Sequence, residues 1–420
     1  MLEKFSDVGN SLDKNCMYNH SRTLFHIPKH QNDNCIYFCG NSLGLQPKSV
    51  RSFVEQELSD WETLGVEGHF RGKNPWFGYH HLLAQPAANL VGALPHEVVV
   101  MNSLTVNLHL LMVSFYRPTP QRYKIIIEAG AFPSDLYAVQ TQAQFHGFDP
   151  ADAIIELKPR EGEFCLQNDD ILEQINKHAN SVALVMLGGV NYYTGQFYNL
   201  PSITKAAHAV GAIAGFDLAH ATGNVPLKLH DWDIDFAVWC SYKYLNSGPG
   251  GTSGVFVHER HAASTTLNRF GGWWGNSEET RFTMPHKFVP QYGASGWQLS
   301  NAQILPMAVH RASLQIFDEI GMDNLREKSE KMSDYLFRLL DSINPNQKYF
   351  TIITPRNPQE RGCQVSILMQ QNGKAVFDGL TKQGIIADWR HPNVIRVAPV
   401  PLYNTFEEIY LFVAALEKLL

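Results

Sequence analysis

From about residue 98 the chain alternates short apolar runs with stretches of helical periodicity, and this alternation limits the fold more than any other feature. Residues 98–101 are apolar, and Asn102-Ser103-Leu104-Thr105 then offers capping residues before a helical stretch over 106–115. Residues 124–128 read as a strand, and Phe132-Pro133-Ser134-Asp135 caps the next helix. Further strands are expected over 182–187, 213–216 and 234–240, with a helix over 201–210. Strands with no polar face, separated by helices, predict a largely parallel sheet covered on both sides. Such sheets bind ligands beyond the carboxyl ends of their strands. That rule selects residues 103–105, Phe132 to Asp135, Gly188, residues 217–220, and Tyr242-Lys243.

The last of these carries the sharpest chemistry. The apolar run 234–240 leads into Ser241-Tyr242-Lys243-Tyr244-Leu245-Asn246 and then into a glycine turn from Gly248. A lone amine leaving a low-dielectric strand is costly to keep ionised, which favours the neutral, nucleophilic form that makes Schiff bases. The plain alternative is a strand-end lysine with its ammonium in water. Asp217, 26 residues and one expected strand-helix-strand step upstream at the end of Ala214-Gly215-Phe216-Asp217, also has two readings. It caps the next helix, or, paired with a strand-end lysine, it holds the ring nitrogen of pyridoxal phosphate protonated. Phe132 supplies a face for stacking on such a ring, or simple packing. For the phosphate, the helix starting near Ser103-Leu104-Thr105 offers free N–H groups, although helix capping explains the same residues. Neither Gly72-Lys73-Asn74 nor Gly373-Lys374-Ala375 continues as a Walker loop, and Gly248 to Gly254 has Ser253 where a dinucleotide fingerprint needs its third glycine.

Composition excludes other classes. The chain has 420 residues, 44% apolar and 18% charged, a net charge of −6 and no basic tract, so nucleic acid and anionic membrane are not expected partners. No segment approaches the length of a membrane span and the start lacks a signal-peptide pattern, so a cytoplasmic protein is expected. The six cysteines are scattered and read as reduced; His80-His81 and His258/His261 read as packing or surface residues, and no metal is implied. Past residue 300 the texture changes to amphipathic helices over 303–320 and 324–343, strands over 364–369 and 394–397, and a final helix opened by the capping box Thr405-Phe406-Glu407-Glu408. The expected division is an N-terminal segment, 1–45, associated with the smaller domain; a large domain, 46–300; and a small α+β domain, 301–420. Within the large domain, a helix from Pro47 is expected to present Val50, Phe53, Val54, Leu58 and Trp61 on one face, followed by a long loop from Gly65 to Tyr79. The first forty residues read as polar and irregular.

These motifs together resemble the kynureninase family. The resemblance rests on Phe38-Cys-Gly-Asn-Ser-Leu-Gly-Leu-Gln-Pro47, Met101-Asn-Ser-Leu-Thr-Val-Asn-Leu-His109, Phe132-Pro-Ser-Asp135, Tyr193-Thr-Gly-Gln196, Phe216-Asp-Leu-Ala-His-Ala221, Ser241-Tyr-Lys-Tyr244, Gly272-Trp273 and Ile395-Arg-Val-Ala-Pro-Val-Pro-Leu-Tyr403, in family order. It implies a fold type I pyridoxal-phosphate enzyme, α/β, with a mainly parallel seven-stranded sheet between helices and a smaller α+β domain. It further implies hydrolysis of kynurenine or 3-hydroxykynurenine to anthranilate or 3-hydroxyanthranilate plus alanine, in tryptophan catabolism. By the same resemblance, Lys243 carries pyridoxal phosphate and Asp217 pairs with its ring nitrogen, with His220 and Asp135 nearby. Phe132 stacks on the ring beside Pro133 and Ser134, while Leu104, Thr105 and Tyr242 line the phosphate end. Trp273 and Asn301 approach from a second subunit of a homodimer with shared sites, and Arg396 grips the substrate carboxylate. Gly188 stands where the family often has Ser, so a hydroxyl contact is lost there. Ser42, His69 and Asn301 resemble the polar set associated with a ring hydroxyl, which favours 3-hydroxykynurenine; His69 reads equally as a surface histidine. Tyr242, or a water it orients, is the expected proton donor to Cβ. The rivals are another enzyme of this fold, such as an aminotransferase or a cysteine desulfurase using Cys363, and a non-catalytic protein that would have dispensed with Lys243 or Asp217.

Overall fold

The computed structural model describes residues 3–16, 18–264 and 266–420. Its central sheet has seven strands: β1 (Val98–Met101), β2 (Lys124–Glu128), β3 (Ile154–Leu157), β4 (Val182–Gly188), β5 (Ile213–Asp217), β6 (Phe236–Trp239) and β7 (Ser253–Val257). The spatial order is β1-β7-β6-β5-β4-β2-β3, and β7 alone runs against its neighbours. Alternation along the strands explains the layering. Val98, Val100, Ile126, Val185, Leu187, Ala214, Phe216, Ala237 and Trp239 join one core. Val99, Met101, Ile125, Ile127, Leu184, Met186, Phe236 and Val238 join another on the opposite face. Helices Leu104–Phe115, Pro133–Phe145, Asn168–Lys177 and Leu200–Ala209 connect the first five strands. The expected layered, mainly parallel sheet is therefore present, with β3 as a strand the periodicity did not reveal.

Four expectations are corrected. The step from Asp217 to Lys243 crosses no helix, because residues 218–235 form turns and loop. The helix after Pro47 spans Val50–Leu64, but Leu58 is 38% and Trp61 62% exposed. Its buried positions include Glu57, whose carboxylate accepts from Asn74 Nδ2 (2.8 Å), Trp76 Nε1 (2.9 Å) and the Tyr79 hydroxyl (2.9 Å), so hydrogen bonding to the long loop outweighs the apolar stripe. That loop itself contains two short 3₁₀ turns, Gly65–His69 and Trp76–Gly78. The N-terminal region opens with a helix, Glu3–Asn15, which packs on the final helix Phe406–Leu419; the Asp13 carboxylate caps that helix by accepting from the N–H groups of Phe406 (3.0 Å) and Glu407 (2.9 Å).

A second, antiparallel sheet runs β8 (Phe350–Ile352), β9 (Val365–Met369), β11 (Val394–Val397), β10 (Asp388–Arg390). Helices Met322–Ile343 and Phe406–Leu419 cover it through Leu336, Leu339, Ile409 and Val413. The capping box at Thr405 forms as expected, with the Glu408 N–H donating to Thr405 Oγ1 at 3.1 Å and the Thr405 N–H to Glu408 Oε2 at 3.2 Å. Ile36–Tyr37 adds in parallel to Ile385–Ile386. Helix Ile304–Ile320 buries Met307, Ala308 and Leu314 in the core of the seven-stranded sheet. We propose on that packing that the two units divide near Gly321.

Candidate active site

The carboxyl ends of β1, β2, β5 and β6 converge on a cavity of about 180 Å³. Leu104, Thr105, Phe132, Ser134, Asp135, Asp217, His220, Tyr242 and Lys243 line it, with Glu128, Val190, Tyr192 and Ala219. Lys243 reaches it because the chain leaves β6 and turns sharply: Ser241 Oγ donates to the Thr252 carbonyl and the Asn246 N–H to the Lys243 carbonyl (3.0 Å). The turn at Asn41–Gly44 packs against this loop, with the Gly44 N–H donating to the Tyr242 carbonyl at 2.9 Å. A Cβ at Gly44 would lie 2.3 Å from the Lys243 carbonyl oxygen, so only glycine permits that approach.

Lys243 Nζ stands 3.0 Å from His220 Nε2 and 5.8 Å from the ring centres of both Phe132 and Tyr242. Burial, and then the Lys243 charge, hold His220 well below the usual imidazole range, so it is neutral; its Nδ1 is buried without a hydrogen-bond partner. Asp217 Oδ1 accepts the Ala219 N–H at 2.7 Å, while burial raises its pKa. Asp135 lies beside it, driven well above the carboxylate range by burial and by the Asp217 charge, with Oδ1 unpartnered. Burial also pushes the Tyr242 hydroxyl up, so it stays a phenol at neutral pH.

The cavity fits pyridoxal phosphate at both ends. At one end two helix starts meet, Leu104–Phe115 and Pro133–Phe145, joined by Thr105 Oγ1 and Ser134 Oγ at 2.6 Å. Neither Ser103 nor Phe132 caps its helix through a side chain, contrary to expectation, which leaves backbone N–H groups free for a dianion. At the other end, the orphaned polar atoms of Asp135 and His220 flank Asp217 and Lys243.

Sequence reasoning placed seven further residues at the site, and the structure sets them apart from the cavity lining; one of them, Pro133, opens the helix Pro133–Phe145. Arg396 is fully buried on β11: Nε donates to Asp388 Oδ1 (3.1 Å), Nη1 donates to the Tyr192 carbonyl, and Nη2 is ion-paired with the same Asp388 oxygen at 2.8 Å. It reaches the cavity wall through Tyr192, whose ring lies 5.4 Å from Phe132 and 6.5 Å from His220. Ser42 sits in the turn against the Lys243 loop. His69 and Trp273 lie in an aromatic cluster: His69 packs on Phe70 and Trp76, Phe70 and Trp273 pack on Phe282, and Trp273 is 44% exposed. Neither they nor Asn301 line the cavity of their own chain. Gly188 contributes its N–H, which donates to Glu128 Oε1 at 3.2 Å. Glu128 and Tyr192 were missed by sequence reasoning; an ionisable residue closing a buried apolar strand, as Asp217 does, was the available signal for Glu128.

The cysteines argue against sulfur chemistry. Burial pushes the Cys363 thiol up to about 12, and it is fully buried. Cys165 borders a separate cleft of about 630 Å³, and burial raises it to about 11.

The arrangement of strands and helices is that of the fold type I pyridoxal-phosphate enzymes. The apo cysteine desulfurase of Thermococcus onnurineus NA1 superposes with a TM-score of 0.75 at 19% identity, over 92% of this chain and 94% of that one. The complex of the cystine C–S lyase C-DES with cysteine persulfide gives 0.76 at 18%, over 92% and 98%. These likenesses are of fold alone. Sequence supplies the narrower relation: the profile of the kynureninase C-terminal domain matches residues 325–416. Kynureninase of Koribacter versatilis is 57% identical over 93% of this chain and 92% of its own, and that of Myxococcus xanthus 53% identical over 99% and 98%. The chain belongs to the kynureninase family.

Proposed function

We propose that this chain hydrolyses the Cβ–Cγ bond of kynurenine and 3-hydroxykynurenine, releasing anthranilate or 3-hydroxyanthranilate and alanine. The observation that carries the reading is Lys243 Nζ set beside His220 in one cavity with Asp217, in a chain 57% identical to a kynureninase. Pyridoxal phosphate, when bound, supplies an electron sink for charge developing at the substrate Cα. Lys243 holds it and moves the Cα proton, with neutral His220 beside the amine as acceptor. Asp217 would pair with the ring nitrogen, Phe132 would offer its face to the ring, and the two uncapped helix starts with Thr105 and Ser134 would hold the phosphate. Arg396, held against Asp388 by Nη2 at 2.8 Å and joined to the cavity wall through Tyr192, would grip the substrate carboxylate. Water adds at the γ-carbonyl, and Tyr242, a phenol at neutral pH, delivers a proton to Cβ as alanine forms.

We further propose a homodimer in which Trp273 and Asn301 of each chain complete the partner's cavity. Support comes from the position of Trp273 outside its own cavity and from the exposed aromatic cluster of Phe70, Trp273 and Phe282. Among the described residues no helix is long and apolar enough to cross a membrane. A cytoplasmic location is part of the same proposal. His69, Ser42 and Asn301 support 3-hydroxykynurenine as the preferred substrate, a proposal checked by kcat/KM for both substrates; equal values remove it.

The holoprotein should absorb at roughly 420 nm and turn over 3-hydroxykynurenine with anthranilate-type fluorescence, while Lys243→Ala holds no linked cofactor and makes no product. A coloured protein without product points to a different reaction of the same fold.

A further inference from the structure

Glu128, Gly188 and Asp217 are the last residues of three neighbouring strands, β2, β4 and β5, and Gly188 pairs in register with Asp217. The Glu128 carboxyl folds over Gly188, with its two oxygens 3.2 and 3.3 Å from the Gly188 N–H. A Cβ at position 188 would stand 2.9 Å from Oε1, so the missing side chain is what makes room for this carboxyl. Glu128 is buried, lines the cavity with Asp135 and Asp217, and forms no ion pair among the described residues. We propose that Glu128 is a positioning residue whose proton occupancy sets the charge beneath the ring end of the cofactor site, acting through Asp217; this rests on the pyridoxal-phosphate reading above.

The groups facing it decide the direction. Asp217 on β5 and Asp135 on helix Pro133–Phe145 are carboxyls, Tyr198 contributes a buried phenol, and Lys243 is the cation acting on both aspartates. Three buried carboxyls beside one amine do not all ionise. Burial, with the Asp217 charge adding to it, raises Glu128 to about 7 against the opposing Gly188 N–H. Below that pH Glu128 is a neutral acid and Asp217 faces the ring nitrogen without it. As pH rises through it, a second negative charge appears behind Asp217 and strengthens the hold on protons at the cofactor.

The test is a titration of the visible band of the holoenzyme, reconstituted with pyridoxal phosphate, from about pH 5.5 to 9, for the unsubstituted protein, Glu128→Gln and Glu128→Asp. Glu128→Gln, neutral throughout, should shift the midpoint down by about half a pH unit or more, and Glu128→Asp should restore part of the shift. Gly188→Ala, whose methyl group displaces the carboxyl, should shift it in the same direction and serves where Glu128→Gln takes up no cofactor. A midpoint coincident with the unsubstituted protein, whatever the change in cofactor affinity, reduces Glu128 to a structural role and overturns the proposal. An unsubstituted protein that stays colourless overturns the cofactor reading instead, which separates the two failures.

Discussion

Glu128 also shows how one side chain ties the site to stability. Its ordinary pKa of 4.5 rises to about 7 in the fold, with burial the first cause. A carboxyl raised in this way stabilises the fold fully below its unfolded pKa and loses that contribution as pH climbs through the folded one. The rise corresponds to about 3 kcal/mol. The cofactor-free protein should therefore lose up to about 3 kcal/mol relative to Glu128→Gln between about pH 4.5 and 7, read from urea unfolding of both proteins at the two ends of that range. Parallel pH dependences in the two proteins would show that the carboxyl is not raised. The same low-dielectric surroundings keep His220 neutral and Tyr242 protonated, so burial is the common cause behind the acid–base states of the site.

At the scale of elements, the reversed strand β7 presses on the strand that delivers Lys243. Gly254 of β7 lies opposite Trp239 of β6, and a Cβ at 254 would fall 2.1 Å from the indole. Trp239 is fully buried, with no space to yield. Gly254→Ala should therefore overpack the sheet, costing about 1–3 kcal/mol, and displace the chain that turns from Trp239 to Lys243. A lowered melting temperature together with an altered visible spectrum of the holoprotein is the expected result; an unchanged melt would mean that the sheet relaxes at this point. The two helix starts at Leu104 and Pro133 work the other way: lacking caps of their own, they leave their N–H groups for a ligand, a local cost that binding offsets.

For the whole molecule, the separation of His69, Trp273 and Asn301 from the cavity makes shared sites testable by mixing. Lys243→Ala and Trp273→Ala proteins should each be impaired alone. Unfolded together and refolded, they should regain about a quarter of the native activity, because random pairing makes half the dimers mixed and each mixed dimer carries one site with both native residues. No regain on mixing would place Trp273 outside the partner's site.

The chemistry at the strand ends is written in the linear order of residues. Buried apolar runs must stop where polar residues begin, so Asp217 and Lys243 were legible as strand-end groups, the capping box at Thr405 announced the last helix, and separated motifs in order pointed to the family. Which distant residues meet is settled by folding alone. Glu128 closes an ordinary-looking strand until the missing side chain at Gly188 lets its carboxyl lie beside Asp217. Leu58 and Trp61 keep helical spacing yet stay outside, because Glu57 is drawn inward by three hydrogen bonds from the loop that follows. The helix Glu3–Asn15 depends on the end of the chain, whose final helix it caps and covers. Hydrophobic periodicity is a local property and survives in the sequence, whereas burial of a charge depends on neighbours well separated along the chain and arises only on folding.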